Sequence, residues 1–270
     1  MNNMNQINIV VAGASGKMGS EALRMIEKEE YLNLVGCVDL KHTGKKVSEI
    51  EGLPKLDAIF YNDINQCLEA VDADVLIDLT SPKVGYQHTK AALLNGVRPV
   101  VGTTGFTTEQ LEELTELAKE KQVGGIIAPN FAMGAVLMMQ FSRMAAKFFP
   151  DVEIIEKHHD QKVDAPSGTA IKTAELIQET RQAKQQGHPD EEELIKGARG
   201  ADFDGMKIHS VRLPGLVAHQ EVTFAGPGEN LTIKHDSFHR ESFMSGIRFA
   251  VEQVVDLSEL IYGLEHLMLD

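Results

Sequence analysis

The chain has 270 residues, of which 43% are hydrophobic and 24% are charged, which suits one large or two ordinary globular domains. Its formal net charge of −14 argues against a nucleic-acid scaffold, because phosphate backbones select basic protein faces. Residues 1–6 show no secretory signal, and no apolar run has the length of a membrane span. The two cysteines, Cys37 and Cys67, follow no metal or disulfide pattern. We therefore expect a cytoplasmic protein.

The first predicted elements are a strand, a glycine-rich turn and a helix. An apolar run, Ile7–Ala12, leads into Gly13-Ala14-Ser15-Gly16-Lys17-Met18-Gly19, and an amphipathic helix pattern follows. A second strand, Leu32–Val38, ends in Asp39, about twenty residues beyond the last glycine, where a ribose-binding carboxylate is expected. The glycines by themselves could equally form a tight strand-to-helix turn that binds no ligand. The whole pattern predicts a dinucleotide site, and Lys17 is not in the G-K-[ST] setting of a P-loop.

The sequence leaves open which dinucleotide binds. Asp39 accepts hydrogen bonds from a free ribose 2′-hydroxyl and repels a 2′-phosphate, whereas Lys41, His42, Lys45 and Lys46 follow at once and attract such a phosphate. A solvated loop is the alternative interpretation of this basic run. NADH, NADPH or both therefore remain candidates.

Strands and helices continue to alternate after Asp39, which predicts a doubly wound parallel sheet. Further strands are predicted at 57–61, 74–79, 97–101 and 124–128, and helices at 65–71, after Ser81-Pro82 and after Thr107, which has capping-box spacing with Gln110. Ligands bind beyond the carboxyl ends of parallel strands. We therefore expect one crevice to be lined by Asp39, Gly102, Thr103, Thr104, Ala128, Pro129, Asn130 and Phe131.

The second half of the chain has a different pattern. An apolar helix at 131–149 carries Met133, Leu137, Phe141, Met144 and Phe148 on one stripe, typical of a core or an interface, and we interpret it as the passage between two domains. After it come a strand at 152–158, a helix at 168–182 and a polar excursion at 184–205 with one short helix. Strands at 207–213, 216–224 and 231–235 have no helices between them, which predicts a partly antiparallel sheet. A helix at 240–255 and a segment at 257–269 complete the chain.

The stretch from Glu156 to Thr169 contains the largest group of neighbouring candidate catalytic and anion-binding residues. His158 and Lys162 are candidate proton donors, and the Pro166-Ser167-Gly168-Thr169 turn opens a predicted helix whose free N–H groups attract anions. Ser167 has the simpler alternative of a helix N-cap. No metal-ligand spacing or nucleophile elbow is present, so we expect no metal. From the residues, the prediction is an NAD(P)-dependent reductase of a small carboxylated substrate.

The chain resembles the 4-hydroxy-tetrahydrodipicolinate reductase family over nearly its whole length. The resemblance is carried by Gly13 to Gly19, by Val101-Gly102-Thr103-Thr104-Gly105-Phe106, by Ala128 to Phe131, and by the pattern H-H-x-x-K-x-D-x-P-S-G-T from His158 to Thr169. It implies reduction of 4-hydroxy-tetrahydrodipicolinate to tetrahydrodipicolinate, with loss of water, in the diaminopimelate and lysine route. The alternatives are another two-domain dehydrogenase, which leaves the His158 to Thr169 pattern unexplained, and a non-catalytic nucleotide sensor.

The resemblance also implies roles for individual residues. His158 takes the acid/base position and Lys162 that of the proton donor, while His159, Gly168 and Thr169 match residues that grip the carboxylates of a small dicarboxylate substrate. The implied cofactor positions are Gly13, Ala14, Ser15, Gly16, Lys17, Met18, Asp39, Gly102, Thr103, Thr104, Ala128, Pro129, Asn130 and Phe131. Leu40 stands where some members have arginine, so strict NADPH use does not follow, although Lys41 partly replaces that charge.

The implied architecture is α/β, with a Rossmann-like doubly wound parallel sheet and a smaller α+β domain with a mixed sheet. The expected domains are a dinucleotide-binding domain at 1–130, a substrate-binding and tetramerisation domain at 131–240, and a helical segment at 241–270 that returns to the first domain. The family fold implies a homotetramer. From the net charge and the lack of a membrane-length apolar run, we expect no nucleic-acid or membrane partner.

Overall fold

The computed structural model describes residues 6–103 and 105–268, which form two compact units. The first unit contains the chain up to Phe131 and from Phe243 onward, and the second is Ala132–Ser242. Three parts of the predictions lie outside the described residues: most of the segment searched for a secretory signal (1–5), the cofactor candidate Thr104, and Leu269 of the last segment.

The elements follow in chain order. The strands are β1 (Ile7–Ala12), β2 (Leu32–Val38), β3 (Ile59–Tyr61), β4 (Val75–Asp78), β5 (Arg98–Val101), β6 (Gly125–Ile127), β7 (Asp151–His158), β8 (Ala201–Phe203), β9 (Met206–Arg212), β10 (Ala218–Gly226), β11 (Glu229–Ser237) and β12 (Leu260–Tyr262). The helices are α1 (Lys17–Lys28), α2 (Ile64–Ala70), α3 (Pro82–Leu94), α4 (Thr108–Lys121), α5 (Met133–Ala145), α6 (Gly168–Gln178), α7 (Met244–Val254) and α8 (Glu265–Met268).

The first unit is built on a seven-stranded sheet whose paired strands all run parallel, as predicted. The strand order is β12-β6-β5-β4-β1-β2-β3. Strands β1 to β6 have the order of a dinucleotide-binding sheet, and β12 adds a seventh strand beside β6. The central strands are buried on both faces, which explains their continuous apolar sequences; Val10, Leu76 and Ile77 have no exposed surface. The carboxyl ends of β1, β2, β4, β5 and β6 therefore share one edge of the sheet.

The second unit is built on a five-stranded mixed sheet in the order β11-β10-β7-β9-β8. Strands β7 and β9 are parallel and the other neighbours are antiparallel, which confirms the predicted mixed sheet. Along β7, buried residues alternate with half-buried ones, and the buried set is Val152, Ile154 and Glu156. Helix α6 contacts β7, and α5 contacts both α6 and β11, so this face of the sheet forms the core of the unit.

Several predicted elements in this half of the chain differ from the structure. The helix predicted at 131–149 is shorter, and its apolar stripe is not part of the core of the chain: Phe141 is 44%, Met144 55% and Phe148 77% exposed. The alternative, that the stripe is an interface, stays a prediction. The buried face of α5 carries small and flexible residues instead, including Ala135 and Met138. The short helix predicted at 184–205 is wrong, because that segment, all of it described, contains turns, bends and the whole of β8. The predicted helix at 240–255 begins as a 3₁₀ turn, Arg240–Phe243.

Within the described part of the chain, no helix combines the length and the apolarity that crossing a membrane requires.

The capping box predicted at the start of α4 is confirmed. The Thr107 hydroxyl accepts a hydrogen bond from the Gln110 N–H at 3.2 Å, and the Gln110 side chain accepts one from the Thr107 N–H at 3.0 Å. These bonds satisfy donors that a helix start otherwise leaves unpaired.

We expect Thr107→Ala to lower the free energy of unfolding by about 1 kcal/mol, because the substitution removes this cap. Urea unfolding followed by circular dichroism measures the change. Thr108→Ala is the matched control, since Thr108 is an exposed neighbouring threonine at the first helical position. Equal losses in the two variants would show that the cap is not what stabilises α4.

Candidate active site

The glycine-rich turn of the first unit joins β1 to α1 with little room for side chains. Gly13 has a φ of +76°, a left-handed conformation that favours glycine, and its N–H donates to the Val38 carbonyl at 2.8 Å. A Cβ atom on Gly19 would lie 2.1 Å from the Gly13 carbonyl oxygen, so only glycine permits this approach of helix and turn. Ala14 is buried, and Gly16 at the N-cap has no side chain to cap the helix. The first N–H groups of α1 are therefore not capped by the N-cap side chain, an arrangement that suits phosphate.

Asp39 ties the end of β2 to this turn. Its Oδ2 accepts hydrogen bonds from the Ser15 N–H at 3.0 Å and the Ser15 hydroxyl at 2.6 Å, and its Oδ1 accepts one from the Lys41 N–H at 3.0 Å. Burial raises the pKa of the Asp39 carboxyl, but these bonds outweigh burial and hold it below its usual value. Each carboxylate oxygen has two lone pairs, so Oδ1 retains one for a ribose hydroxyl. The Lys41 residue is exposed, whereas Lys46 of the basic run pairs with Asp57 at 2.8 Å.

A pocket of about 360 Å³ lies at the carboxyl edge of the parallel sheet. Its lining includes six of the predicted cofactor residues and three that were not predicted: Met18, Gly102, Thr103, Pro129, Asn130 and Phe131, with Leu79, Thr80 and Phe243. Lys17 is exposed at the start of α1, and Ala128 is buried directly after β6. The glycine-rich turn, the spare lone pair of Asp39 and this pocket fit a dinucleotide.

The buried Asp78 at the end of β4 was not predicted as part of this region. It has no exposed surface, and its Oδ2 lies 2.7 Å from Nδ1 of His88. Its Oδ1 accepts hydrogen bonds from the Thr80 N–H at 3.0 Å and the Thr80 hydroxyl at 2.6 Å. Asp78 thereby fixes Thr80, which lines the pocket. The strand-end position of Asp78 was the available sequence signal, because polar residues at that edge face the ligand side.

In the second unit, His158 ends β7 beside a buried carboxylate. The Nδ1 atom of His158 lies 2.6 Å from Oε2 of Glu156, whose side chain has no exposed surface. Arg212 binds the same carboxylate through both oxygens, with Nη1 2.8 Å from Oε2 and Nη2 2.7 Å from Oε1. Burial raises the pKa of the Glu156 carboxyl, but hydrogen bonds from His158, Arg212 and Ser210 outweigh burial and hold it at about 2.

The loop that carries Lys162 is linked to the same group of residues. The Lys162 ammonium lies 2.7 and 2.8 Å from the two carboxylate oxygens of Asp164, and its pairing lowers the pKa of Asp164. Nη2 of Arg212 also donates to the Asp164 carbonyl oxygen at 2.7 Å. A continuous set of hydrogen bonds therefore runs from Lys162 through Asp164, Arg212 and Glu156 to His158.

The start of α6 completes this part of the molecule. The Ser167 hydroxyl accepts a hydrogen bond from the Ala170 N–H at 3.2 Å, which confirms its N-cap role, and the Ser167 N–H donates to Oε1 of Glu156 at 3.2 Å. Gly168 is exposed in the first turn, and Thr169 is half-buried. His159 lies just beyond β7 and is half-buried, and its carbonyl oxygen accepts the Lys162 N–H at 3.2 Å.

Glu156 and Arg212 were missed as site residues. Glu156 and His158 are two residues apart on a strand, so their side chains share a face, and this spacing was the signal for Glu156. Arg212 lies beside His158 only through the pairing of β7 with β9, which local sequence does not reveal. Among the residues that the structure describes, no group of three or more His, Cys, Asp or Glu side chains is placed to hold a metal ion.

Comparisons with known proteins agree with this geometry. Residues 7–131 match the family model "Dihydrodipicolinate reductase, N-terminus", and residues 134–268 match "Dihydrodipicolinate reductase, C-terminus". The 4-hydroxy-tetrahydrodipicolinate reductases of Bacillus cereus and Bacillus anthracis are each 60% identical to the chain, covering 98% of it and 100% of their own length.

Two solved structures are similar to this chain to different degrees. The dipicolinate-bound dihydrodipicolinate reductase from Paenisporosarcina sp. TG-14 is 50% identical, covers 97% of this chain and 99% of its own, and superimposes with a TM-score of 0.89. An amine dehydrogenase from Mycobacterium smegmatis is 14% identical, with a TM-score of 0.71 over 98% of this chain and 97% of its own, and shares the fold alone. With both halves matched in order and whole-length identity of 60%, the chain belongs to the dihydrodipicolinate reductase family.

Proposed function

We propose that this chain is an NAD(P)H-dependent 4-hydroxy-tetrahydrodipicolinate reductase, which forms tetrahydrodipicolinate in the diaminopimelate route to lysine. The observation that carries the proposal is the 60% identity to the Bacillus cereus reductase over 98% of the chain. The site chemistry supports it, since one unit offers a dinucleotide cradle and the other a histidine and a lysine beside an exposed helix start.

In this proposal the first unit holds the cofactor, whose reduced nicotinamide supplies the hydride when bound. The turn from Gly13 to Met18 binds the pyrophosphate through backbone N–H groups, and Asp39 accepts a ribose 2′-hydroxyl at Oδ1. The residues at the carboxyl ends of β5 and β6 bind the nicotinamide end: Gly102, Thr103 and Thr104, with Ala128, Pro129, Asn130 and Phe131. Lys17 and Lys41 add positive charge near phosphate groups.

The second unit holds the substrate and supplies the proton. Loss of water from the 4-hydroxy substrate leaves an unsaturated ring, to which the hydride adds. The reduced ring then needs one proton to give the product, for which His158 and Lys162 are the donors. His159, Gly168 and Thr169 bind the carboxylates, with charge-assisted hydrogen bonds from Lys162. The dipicolinate in the Paenisporosarcina relative supports a small dicarboxylate ligand.

The domain roles follow the same division. We assign cofactor binding to residues 1–130 with the returning segment 241–270, and substrate binding to residues 131–240. We also propose a cytoplasmic homotetramer. The two free, buried cysteines suit a reducing compartment, and light scattering after size-exclusion chromatography tests the tetramer.

The experiment that tests the function is NADH and NADPH oxidation, followed by absorbance, with substrate generated in situ by a synthase from pyruvate and aspartate semialdehyde. We expect oxidation that depends on the substrate. If folded protein binds nucleotide but oxidises neither cofactor, the reductase proposal is wrong.

We expect His158→Gln and Lys162→Ala each to lower kcat by about 10²- to 10⁴-fold, the usual contribution of a general acid, with little change in cofactor affinity. Steady-state kinetics and fluorescence titration with NADH measure the two quantities. His188→Gln and Lys172→Ala are matched controls, because these side chains are 75% and 51% exposed in the same unit. Loss of cofactor binding in the two site variants would contradict the division of roles.

We expect Asp39→Ala to weaken NADH binding by about 10- to 100-fold, the worth of a hydrogen bond to a charged group, and to weaken NADPH binding less. The reason is that only NADH presents a free 2′-hydroxyl to the carboxylate. Because Asp39 also fixes Ser15, Ser15→Ala serves as the control and should affect both cofactors alike. Equal weakening of both by Asp39→Ala would remove its role as 2′-hydroxyl acceptor.

A further inference from the structure

Glu156 and Arg212 are brought together with His158 by strand pairing. Glu156 and His158 lie on one face of β7, and the register of the parallel pair β7 and β9 sets Ser210 beside Glu156 and Arg212 beside His158. Arg212 reaches back along its strand to the carboxylate. The antiparallel neighbour β10 places Gln220 beside Glu156, so Glu156 is flanked by residues of both neighbouring strands.

The carboxylate of Glu156 is a hydrogen-bond acceptor throughout the working pH range, because its pKa is held at about 2. The atom of His158 that contacts it at 2.6 Å is Nδ1. An ionised carboxylate has no hydrogen to donate, so Nδ1 must carry the hydrogen of this bond. In the neutral ring, Nε2 is then the nitrogen that has the free lone pair.

Arg212 makes this arrangement possible by neutralising the charge of Glu156. A buried carboxylate is stable only when it is paired, and Arg212 supplies two bonds to it within 2.8 Å. Arg212 is itself fixed by the Val211 carbonyl at 2.8 Å and the Asp164 carbonyl at 2.7 Å. The histidine therefore faces an ion pair with no net charge, not a lone carboxylate.

We propose that Glu156 and Arg212 are positioning residues for the reaction: Glu156 fixes the Nδ1–H tautomer and the ring orientation of His158, and Arg212 holds Glu156 in place. This inference rests on the proposed function, because it assigns Nε2 of His158 as the atom that takes up a proton, giving the imidazolium, and then donates that proton to the substrate. Glu156 and Arg212 act through the histidine and are not themselves proton donors to the ring.

The other side of β7 offers a matched comparison. Glu153 lies 2.7 Å from Arg199 and 2.8 Å from His209, so it forms a cluster of the same three residue types. Its side chain is 33% exposed, whereas that of Glu156 is fully buried. His209 has no role in the proposed reaction, so Glu153→Gln repeats the chemical change of Glu156→Gln without disturbing His158.

The test combines kinetics with nitrogen-15 NMR of the histidine rings in the full chain. In the native protein, at a pH where the ring is neutral, we expect His158 to show the Nδ1–H tautomer, with its signals assigned by their loss in His158→Gln. In Glu156→Gln we expect the population of the Nε2–H tautomer of His158 to increase, because the amide of the new side chain can donate a hydrogen bond to Nδ1. We expect kcat to fall about 10- to 100-fold with little change in KM, as for other residues that orient a reactive group.

The outcomes separate this inference from the proposed function. If His158 of the native protein shows the Nε2–H tautomer, the inference is wrong. Because this measurement uses only the native protein, it tests the inference even if Glu156→Gln does not fold. Native kcat in Glu156→Gln, or an equal loss in Glu153→Gln, also overturns it. If the native chain lacks reductase activity, the proposed function fails instead. If His158→Gln keeps full activity, His158 is not a proton donor, and the inference fails while the reductase function stands.

Discussion

Glu156 carries an ionised carboxyl group into the core of the second unit, and such a group is stable there only when its charge and both of its oxygens have partners. The partners are four residues from three elements: His158 on the same strand, Arg212 and Ser210 on β9, and Ser167, through its N–H, at the start of α6. One buried group therefore fixes the end of β7, the neighbouring strand and the first turn of the helix. Of the proposed site residues, His158, Gly168 and Thr169 lie on these elements, and His159 and Lys162 lie on the loop that joins β7 to α6.

In the first unit, carboxylates also hold loops in place through hydrogen bonds, although one of them is less buried. Asp39 is only half-buried, and it binds the glycine turn through Ser15 while leaving a lone pair for a ligand. Asp78 is fully buried and fixes Thr80 at the pocket. In each unit a carboxylate first holds a loop in place, and the loop then presents the groups that meet the ligand. This division allows the site to be rigid although its ligand-binding parts are loops.

Local sequence predicted a large part of this structure, and its failures have physical causes. Sequence patterns correctly predicted the strands Ile7–Ala12 and Leu32–Val38 and the capping box at Thr107. Apolar runs and helix caps depend only on residues that are close together in the sequence. Strand β12 has three residues, too few to show a period, and it depends on pairing with β6, which lies far away in sequence. The link between Glu156 and Arg212 depends likewise on strand register. The exposed stripe of α5 shows that apolar character alone does not tell which face of a helix is buried.

The chain of the first unit is interrupted by the whole second unit, because β12 and α7 follow residue 242. During synthesis, β6 is made long before the strand that pairs with its outer edge. At about 5 to 20 residues per second, the delay is on the order of ten seconds. An unpaired edge strand is a template for aggregation, so the nascent first unit is at risk on the ribosome until β12 emerges. The return of the chain thus makes folding of the cofactor-binding unit a late event, completed only after the second unit has been synthesised.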